Sequence, residues 1–299
     1  MQDPMEIKRR HPEWLKVKLP AGDNYTRLRF LMRDLGLHTV CEDARCPNIG
    51  ECWGRGVATL MILGDICTRS CGYCAVASGR PASLDLNEPL RVAEAVNRMG
   101  LRHVVVTSVD RDDLSDGGAG IFASTIQEIR GRSPGCTIEV LIPDFRGSDA
   151  ALQVVVDAAP EILNHNIETV PRLYRRARSG GNYARSLSLL EKAKNWRPQM
   201  LTKTGLMLGL GETVDEVTFV MRDVVQAGVS ILTLGQYLQP TSRHLPVDRY
   251  YHPDEFRDLK ALGESFGLEH VEAGPLVRSS YQADRQFEAA RSSLHSPAG

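Results

Sequence analysis

Six of the seven cysteines in this 299-residue sequence fall between positions 41 and 74, in two triplets. The first is Cys41-x4-Cys46-x5-Cys52, and the second is Cys67-x3-Cys71-x2-Cys74 in the run CTRSCGYC. The loops between the thiols are short, so each triplet can close around a polynuclear metal centre. A closed structural zinc site takes four ligands, and so does a saturated iron–sulfur cluster. Three thiols leave one position for another ligand, and two triplets imply two centres of that kind. Disulfides are disfavoured: clustered cysteines in a reducing compartment are more often metal ligands, and an odd total does not pair completely. Cys136 stands alone at the start of an apolar run and reads as a small buried hydrophobe.

The elements that must position these thiols follow from the hydrophobic pattern. Residues 1–58 are irregular, with four prolines and one helical stretch from Asn24 to Leu35, and this segment carries the first triplet. From Thr59 onward short apolar runs alternate with helical patterns. Strands are expected at 59–65, 103–110, 137–144, 161–168, 202–209 and 231–238. Helical patterns at 90–100, 121–131, 184–196 and 214–228 lie between them, several closed by glycine. Strands that are apolar throughout and each followed by a helix indicate an α/β fold with a parallel sheet covered on both faces. Six units are too few for an eight-stranded closed barrel.

Polar residues recur at the expected strand ends: Asp65, Asp110, Asp144, Asn166 with Glu168, Lys203, and Gln236 with Tyr237. In a barrel such ends converge on one mouth. A partial six-unit β/α barrel is therefore expected at 59–270, with an N-terminal extension at 1–58 and a C-terminal extension at 271–299, both expected to cover its mouth. The polar tail after Gln286 reads as frayed. His165 reads as a packed histidine, and GLGET (209–213) as a strand-to-helix turn, because it lacks the lysine and hydroxyl of a phosphate-binding loop.

CTRSCGYC lies in the loop after the first strand and matches the CxxxCxΦC signature, with Tyr73 as the aromatic. It resembles the radical S-adenosylmethionine superfamily. That resemblance implies a 4Fe–4S cluster held by Cys67, Cys71 and Cys74, with S-adenosylmethionine chelating the fourth iron. The Cx4Cx5C spacing extends the resemblance to the lipoyl synthase family. Its further carriers are RHPEWLKVKLP (10–20), TSVDRDDLSDGGAG (107–120), NHNIETVPRLY (164–174), TKTGLMLGLGET (202–213), LGQYLQPT (234–241) and GPLVRSSY (274–281). By that resemblance Cys41, Cys46 and Cys52 hold an auxiliary 4Fe–4S cluster completed by a serine of RSSY. Ser279 and Ser280 both qualify, and the resemblance favours Ser280. Contacts to S-adenosylmethionine are expected from Tyr73, Gly117, Gly118, Asn166, Glu168, Arg178 and Lys203.

The implied reaction inserts sulfur at carbons 6 and 8 of an octanoyl chain carried on a lysine, with the auxiliary cluster as the sulfur source. Such chemistry suits saturated carbon, which acid–base catalysis cannot activate. The implied partners are octanoylated carrier domains, namely dehydrogenase-complex acyltransferase subunits and the glycine cleavage H protein. A ferredoxin or flavodoxin would supply electrons, and an iron–sulfur carrier would rebuild the spent cluster. A methylthiotransferase, a biotin-synthase type of enzyme and a non-catalytic metal scaffold are the alternatives.

Composition agrees with this class. With 42% hydrophobic residues the chain can bury one large core, and a formal net charge of −1 disfavours a nucleic-acid binder. The N-terminal segment has a basic start without the apolar run of a secretory signal, so a cytoplasmic location is expected. Lys8, Arg9, Arg10, Lys16 and Lys18 form a basic stretch that could meet an acidic carrier domain, although a solvated surface is the simpler reading.

Overall fold

The computed structural model describes residues 12–17 and 20–295. Its strands are β1 (His38–Thr39), β2 (Thr59–Ile62), β3 (Ile66–Cys67), β4 (Ala77–Ser78), β5 (His103–Ser108), β6 (Thr137–Leu141), β7 (Ile162–Asn164), β8 (Leu201–Leu208), β9 (Ile231–Gln236) and β10 (His270–Gly274). The α-helices are α1 (Asp23–Asp34), α2 (Val40–Asp43), α3 (Ile49–Gly54), α4 (Glu88–Met99), α5 (Ala119–Arg132), α6 (Asp149–Asp157), α7 (Tyr174–Ala177), α8 (Tyr183–Trp196), α9 (Val214–Gln226), α10 (Pro253–Ser265) and α11 (Ala283–His295).

The main sheet runs β1-β2-β5-β6-β7-β8-β9-β10. Only β1 is antiparallel, with Thr39 opposite Leu60; every other neighbouring pair is parallel. The linear order leaves β1 and β10 as opposite edges of an incomplete barrel. The six strands expected from the sequence are all present. A seventh parallel strand, β10, and the two-residue β1 were not foreseen. In β10 only Val271 is fully buried while polar His270 and Glu272 flank it, so no apolar run marks it.

Local chemistry sets the elements. Val104, Val105 and Val106 of β5 are buried, as β-branched residues in a covered strand should be. Helix α4 stops at Gly100, whose left-handed conformation lets its N–H bond back to Asn97 and Val96. Thr213 and Glu216 form a capping box at the start of α9, so GLGET is the expected strand-to-helix turn.

The tail differs from the expectation. Residues 287–295 continue in helix α11 rather than fraying, and residues 296–299 lie outside the described residues. Ala290 is fully buried against Ile162, Leu201 and Ile231, the first residues of β7, β8 and β9. Phe287 lies 6.0 Å from the His103 ring. Helix α11 therefore covers the N-terminal end of the barrel, and its polar composition reflects its outer face. Lys16 is exposed beside Glu13, whereas Lys8, Arg9, Arg10 and Lys18 lie outside the described residues. Among the described residues no helix is long and apolar enough to cross a membrane.

Candidate active site

The second triplet occupies residues 66–78, a loop closed by the short parallel pairing of β3 with β4. Loops at the C-terminal ends of parallel strands are where barrels place their chemistry. Neighbouring segments hold this loop through its backbone. Thr68 N–H donates to Asp110 O at 3.0 Å and Gly72 N–H to Ala177 O at 2.8 Å. Gly72 O in turn accepts from Leu245 N–H at 2.9 Å. An imidazole nitrogen of His244 lies 2.9 Å from Cys74 O.

The strongest clamp is Arg69, which sequence reasoning missed. Its guanidinium meets Asp112 at 2.7 Å, Asp144 at 2.7 Å and Asp110 at 3.4 Å, with the side chain 5% exposed. The available signal was a basic residue between two ligands in CTRSC, facing acids just past β5 and β6. Asp144 is fully buried and also meets Arg185 at 2.7 Å. Burial opposes its charge, yet the Arg69 hydrogen bond and charge hold it at about 2. Its folded pKa lies below its unfolded value of 3.8. The stabilisation is thus complete above that value and disappears as pH falls through about 2. Denaturant titrations should show about 2 kcal/mol of stability lost across this window, and Asp144→Asn should flatten that part of the profile.

Cys67, Cys71 and Cys74 line a cavity of about 580 Å³ together with Tyr73, Asp110, Asn166, Glu168 and Arg178. Burial pushes the Cys71 thiol up to about 11, against the nearby Arg178 charge, and the Cys74 thiol up to about 12. A metal must displace protons from such thiols. Burial, with the Glu168 and Cys71 charges close by, pushes the Tyr73 hydroxyl well above its usual range. Asn166 donates to Glu168 at 3.1 Å. The two residues share the cavity as expected, but not by strand alternation, because β7 ends at Asn164. Glu168 has a left-handed backbone, φ 71°, uncommon for a non-glycine residue. Its N–H and C=O bond to Gly205 and Met207 on β8, which fixes the turn. Arg178 donates to Asn166 O and lies near Tyr174 and His165. A Cβ at Gly181 would sit 2.6 Å from Arg178 Cγ, so glycine is needed for that arginine to fold inward. His165 is packed as expected, with Ile142 O at 2.8 Å and Ser186 Oγ at 3.0 Å; burial drops its pKa to about 3.

Three expected contacts are placed elsewhere. Lys203 is the third residue of β8 and fully buried, 2.9 Å from Glu139. It belongs to the polar interior near the α11 end of the barrel and lines neither cavity at the mouth. A lysine early in a strand points to the end opposite the mouth. Gly117 and Gly118 also line neither mouth cavity. They form the turn into α5, where Asp116 accepts from the N–H groups of Gly118 and Gly120, each at 2.9 Å. A Cβ at Gly118 would meet Leu63 Cδ1 at 2.3 Å, so that glycine is explained by packing. Asp65 lies outside both mouth cavities as well. Cys136 is buried, as read.

The first triplet lies on α2, the turn after it, and α3. Thr39 caps α2 by accepting from Glu42 N–H. Cys46 N–H donates to Cys41 O and Cys52 N–H to Asn48 O. The three thiols are close enough to perturb one another. Burial and Cys46 push Cys41 up to about 11, and burial with Cys41 and Cys46 pushes Cys52 up to about 12. The C-terminal segment closes over them. Asn48 donates to Leu276 O at 2.7 Å, Tyr281 to Glu51 at 3.1 Å and Thr59 to Ser280 Oγ at 2.8 Å. A Cβ at Gly235 would lie 2.1 Å from Val277 O, so this glycine lets the tail pass against β9. Cys41, Cys46, Ser279 and Ser280 line a second cavity of about 360 Å³, with apolar Leu206, Met207 and Leu238. The two cavities share Tyr73, Cys74, Asn166, Glu168 and Ser279, so they adjoin. Soft thiolates on short loops beside open space fit iron–sulfur clusters.

The radical SAM superfamily model matches residues 61–224, and the model for the N-terminal domain of lipoyl synthase matches residues 2–46. The lipoyl synthase of Rubrobacter xylanophilus is 59% identical over 94% of this chain and 87% of its own length. The Symbiobacterium thermophilum enzyme is 60% identical over 93% and 87%, and the Bacillus subtilis enzyme 55% over 94% and 95%. Among solved structures, methylornithine synthase aligns with TM-score 0.54 at 14% identity, covering 86% of this chain and 84% of that one. SuiB of Streptococcus suis bound to its precursor peptide aligns with TM-score 0.57 at 8% identity, covering 85% and 55%. These two share the fold alone, whereas identities of 55–60% over nearly the whole chain decide the activity. Two adjoining cysteine-lined cavities on an incomplete barrel and these relatives lead to one conclusion: the chain belongs to the lipoyl synthase family of radical S-adenosylmethionine enzymes.

Proposed function

We propose that the family's sulfur-inserting reaction is divided between the two triplets of this chain. Membership of the family establishes an enzyme that uses a 4Fe–4S cluster with S-adenosylmethionine and acts on an octanoylated lipoyl domain. In our reading Cys67, Cys71 and Cys74 hold that cluster, while Tyr73, Asn166, Glu168 and Arg178 surround the bound S-adenosylmethionine. Cys41, Cys46 and Cys52, completed by Ser280, hold a second 4Fe–4S cluster. When bound, the first centre supplies a carbon radical that can abstract hydrogen from saturated carbon, and the second supplies the sulfur for carbons 6 and 8.

The chain's own part is placement. The observation that carries the reading is the shared wall of the two cavities, which includes Tyr73, Cys74, Asn166, Glu168 and Ser279. An acyl chain seated on Leu206, Met207 and Leu238 would have both triplets within reach. Arg69 keeps the second-triplet loop rigid, and the tail screens the first triplet from water. A ferredoxin or flavodoxin as reductant, an iron–sulfur carrier for rebuilding, and a cytoplasmic setting complete the proposal.

Anaerobically reconstituted protein should bind about eight irons with matching acid-labile sulfide. About four irons, or zinc without sulfide, would overturn the second centre.

A further inference from the structure

We infer that Thr59 is a positioning residue that makes Ser280 fit to serve as a metal ligand. This deepens the reading above, since it rests on Ser280 completing the first-triplet centre. Thr59 opens β2 and is 7% exposed. It touches that centre from two sides. It lines the second cavity beside Cys41. Its hydroxyl lies 2.8 Å from Ser280 Oγ. The first strand of the barrel is therefore tied to a hydroxyl of the C-terminal tail, across 221 positions of sequence.

The direction of the hydroxyl–hydroxyl bond follows from chemistry. A serine bound to iron as an alkoxide has no proton to give, so Thr59 must be the donor. That bond holds Ser280 Oγ in one rotamer beside the second cavity. Serine is a poor acid and a hard oxygen ligand beside three soft thiolates. Without that bond the Ser280 side chain is free to turn to another rotamer, and the fourth position falls to water. The methyl group of Thr59 suits the buried strand but has no part in this bond. Ser279 lines both cavities, yet among the described residues its hydroxyl has no fixed donor such as the one Ser280 has.

The test compares full-length, anaerobically reconstituted wild type with Thr59→Val, Thr59→Ser, Ser279→Ala and Ser280→Ala. Iron release to a chelator and the Mössbauer spectrum of the bound iron are followed. Thr59→Val is nearly isosteric and suits a strand, and it keeps the backbone N–H. It should release the first-triplet iron about tenfold faster, the scale of a lost charge-assisted hydrogen bond. It should also lose the spectral component of the oxygen-ligated iron, as Ser280→Ala does. Thr59→Ser should behave as wild type. If Ser280→Ala changes both readouts and Thr59→Val changes neither, the role of Thr59 is overturned while the ligand assignment stands. If Thr59→Ser is as fast as Thr59→Val, methyl packing is the cause and the inference is also overturned. If Ser280→Ala itself matches wild type, the ligand assignment fails and takes this inference with it.

Discussion

Cys41→Ala, Cys46→Ala and Cys52→Ala are each expected to keep cleaving S-adenosylmethionine while forming no thiolated product. The structural basis is that the triplets are held by different parts of the fold. The first rests on α2, α3 and the tail, through Asn48, Glu51 and Thr59. The second rests on the 66–78 loop, fixed by Arg69 and by backbone bonds to Asp110, Ala177 and Leu245. Losing one buried thiol from the first set leaves those supports in place. For Cys41, which is 6% exposed, the packing cost is about 1–2 kcal/mol, too little to unfold a stable domain. The measurement is deoxyadenosine formation beside product mass on an octanoyl-lysine peptide. Loss of both together would contradict the division of labour.

The reverse substitutions should be more severe. Cys67→Ala, Cys71→Ala and Cys74→Ala are each expected to abolish both cleavage and thiolation, because hydrogen abstraction must precede sulfur transfer. Retained iron at the first triplet, about four per chain, would show that the protein is folded and that the defect is local. A cysteine variant of this set that still formed deoxyadenosine would place the first centre elsewhere.

The parts that can be read in the sequence are those that depend on short-range patterns. Runs such as HVVVTS and TKTGLML mark strands by apolar continuity, and thiol spacing marks the loops. The missed parts depend on distance in space. The CTRSC run shows a basic residue between two ligands, but not that its three carboxylate partners come from residues 110, 112 and 144. Lys203 shares a strand with mouth-facing residues, but its position near the strand start sends it to Glu139. Glu168 reaches the cavity through a left-handed backbone imposed by β8, not through strand alternation. Gly117 and Gly118, expected as contacts to S-adenosylmethionine, line neither mouth cavity and are accounted for by a turn and by Leu63. The tail was the largest surprise. Its polar composition conceals one buried face, and its RSSY segment closes the first triplet only through contacts with residues more than two hundred positions away.

The central claim is that sulfur comes from a centre held by the first triplet. It is tested most directly by reconstituting the protein with heavy-isotope sulfide, removing excess sulfide, and running a single turnover on an octanoyl-lysine peptide in unlabelled buffer. Both inserted sulfur atoms should carry the heavy isotope, and no labelled product should form when Cys41, Cys46 or Cys52 is replaced. Product of normal isotopic mass from the labelled protein, or labelled product from any of those three variants, would contradict it.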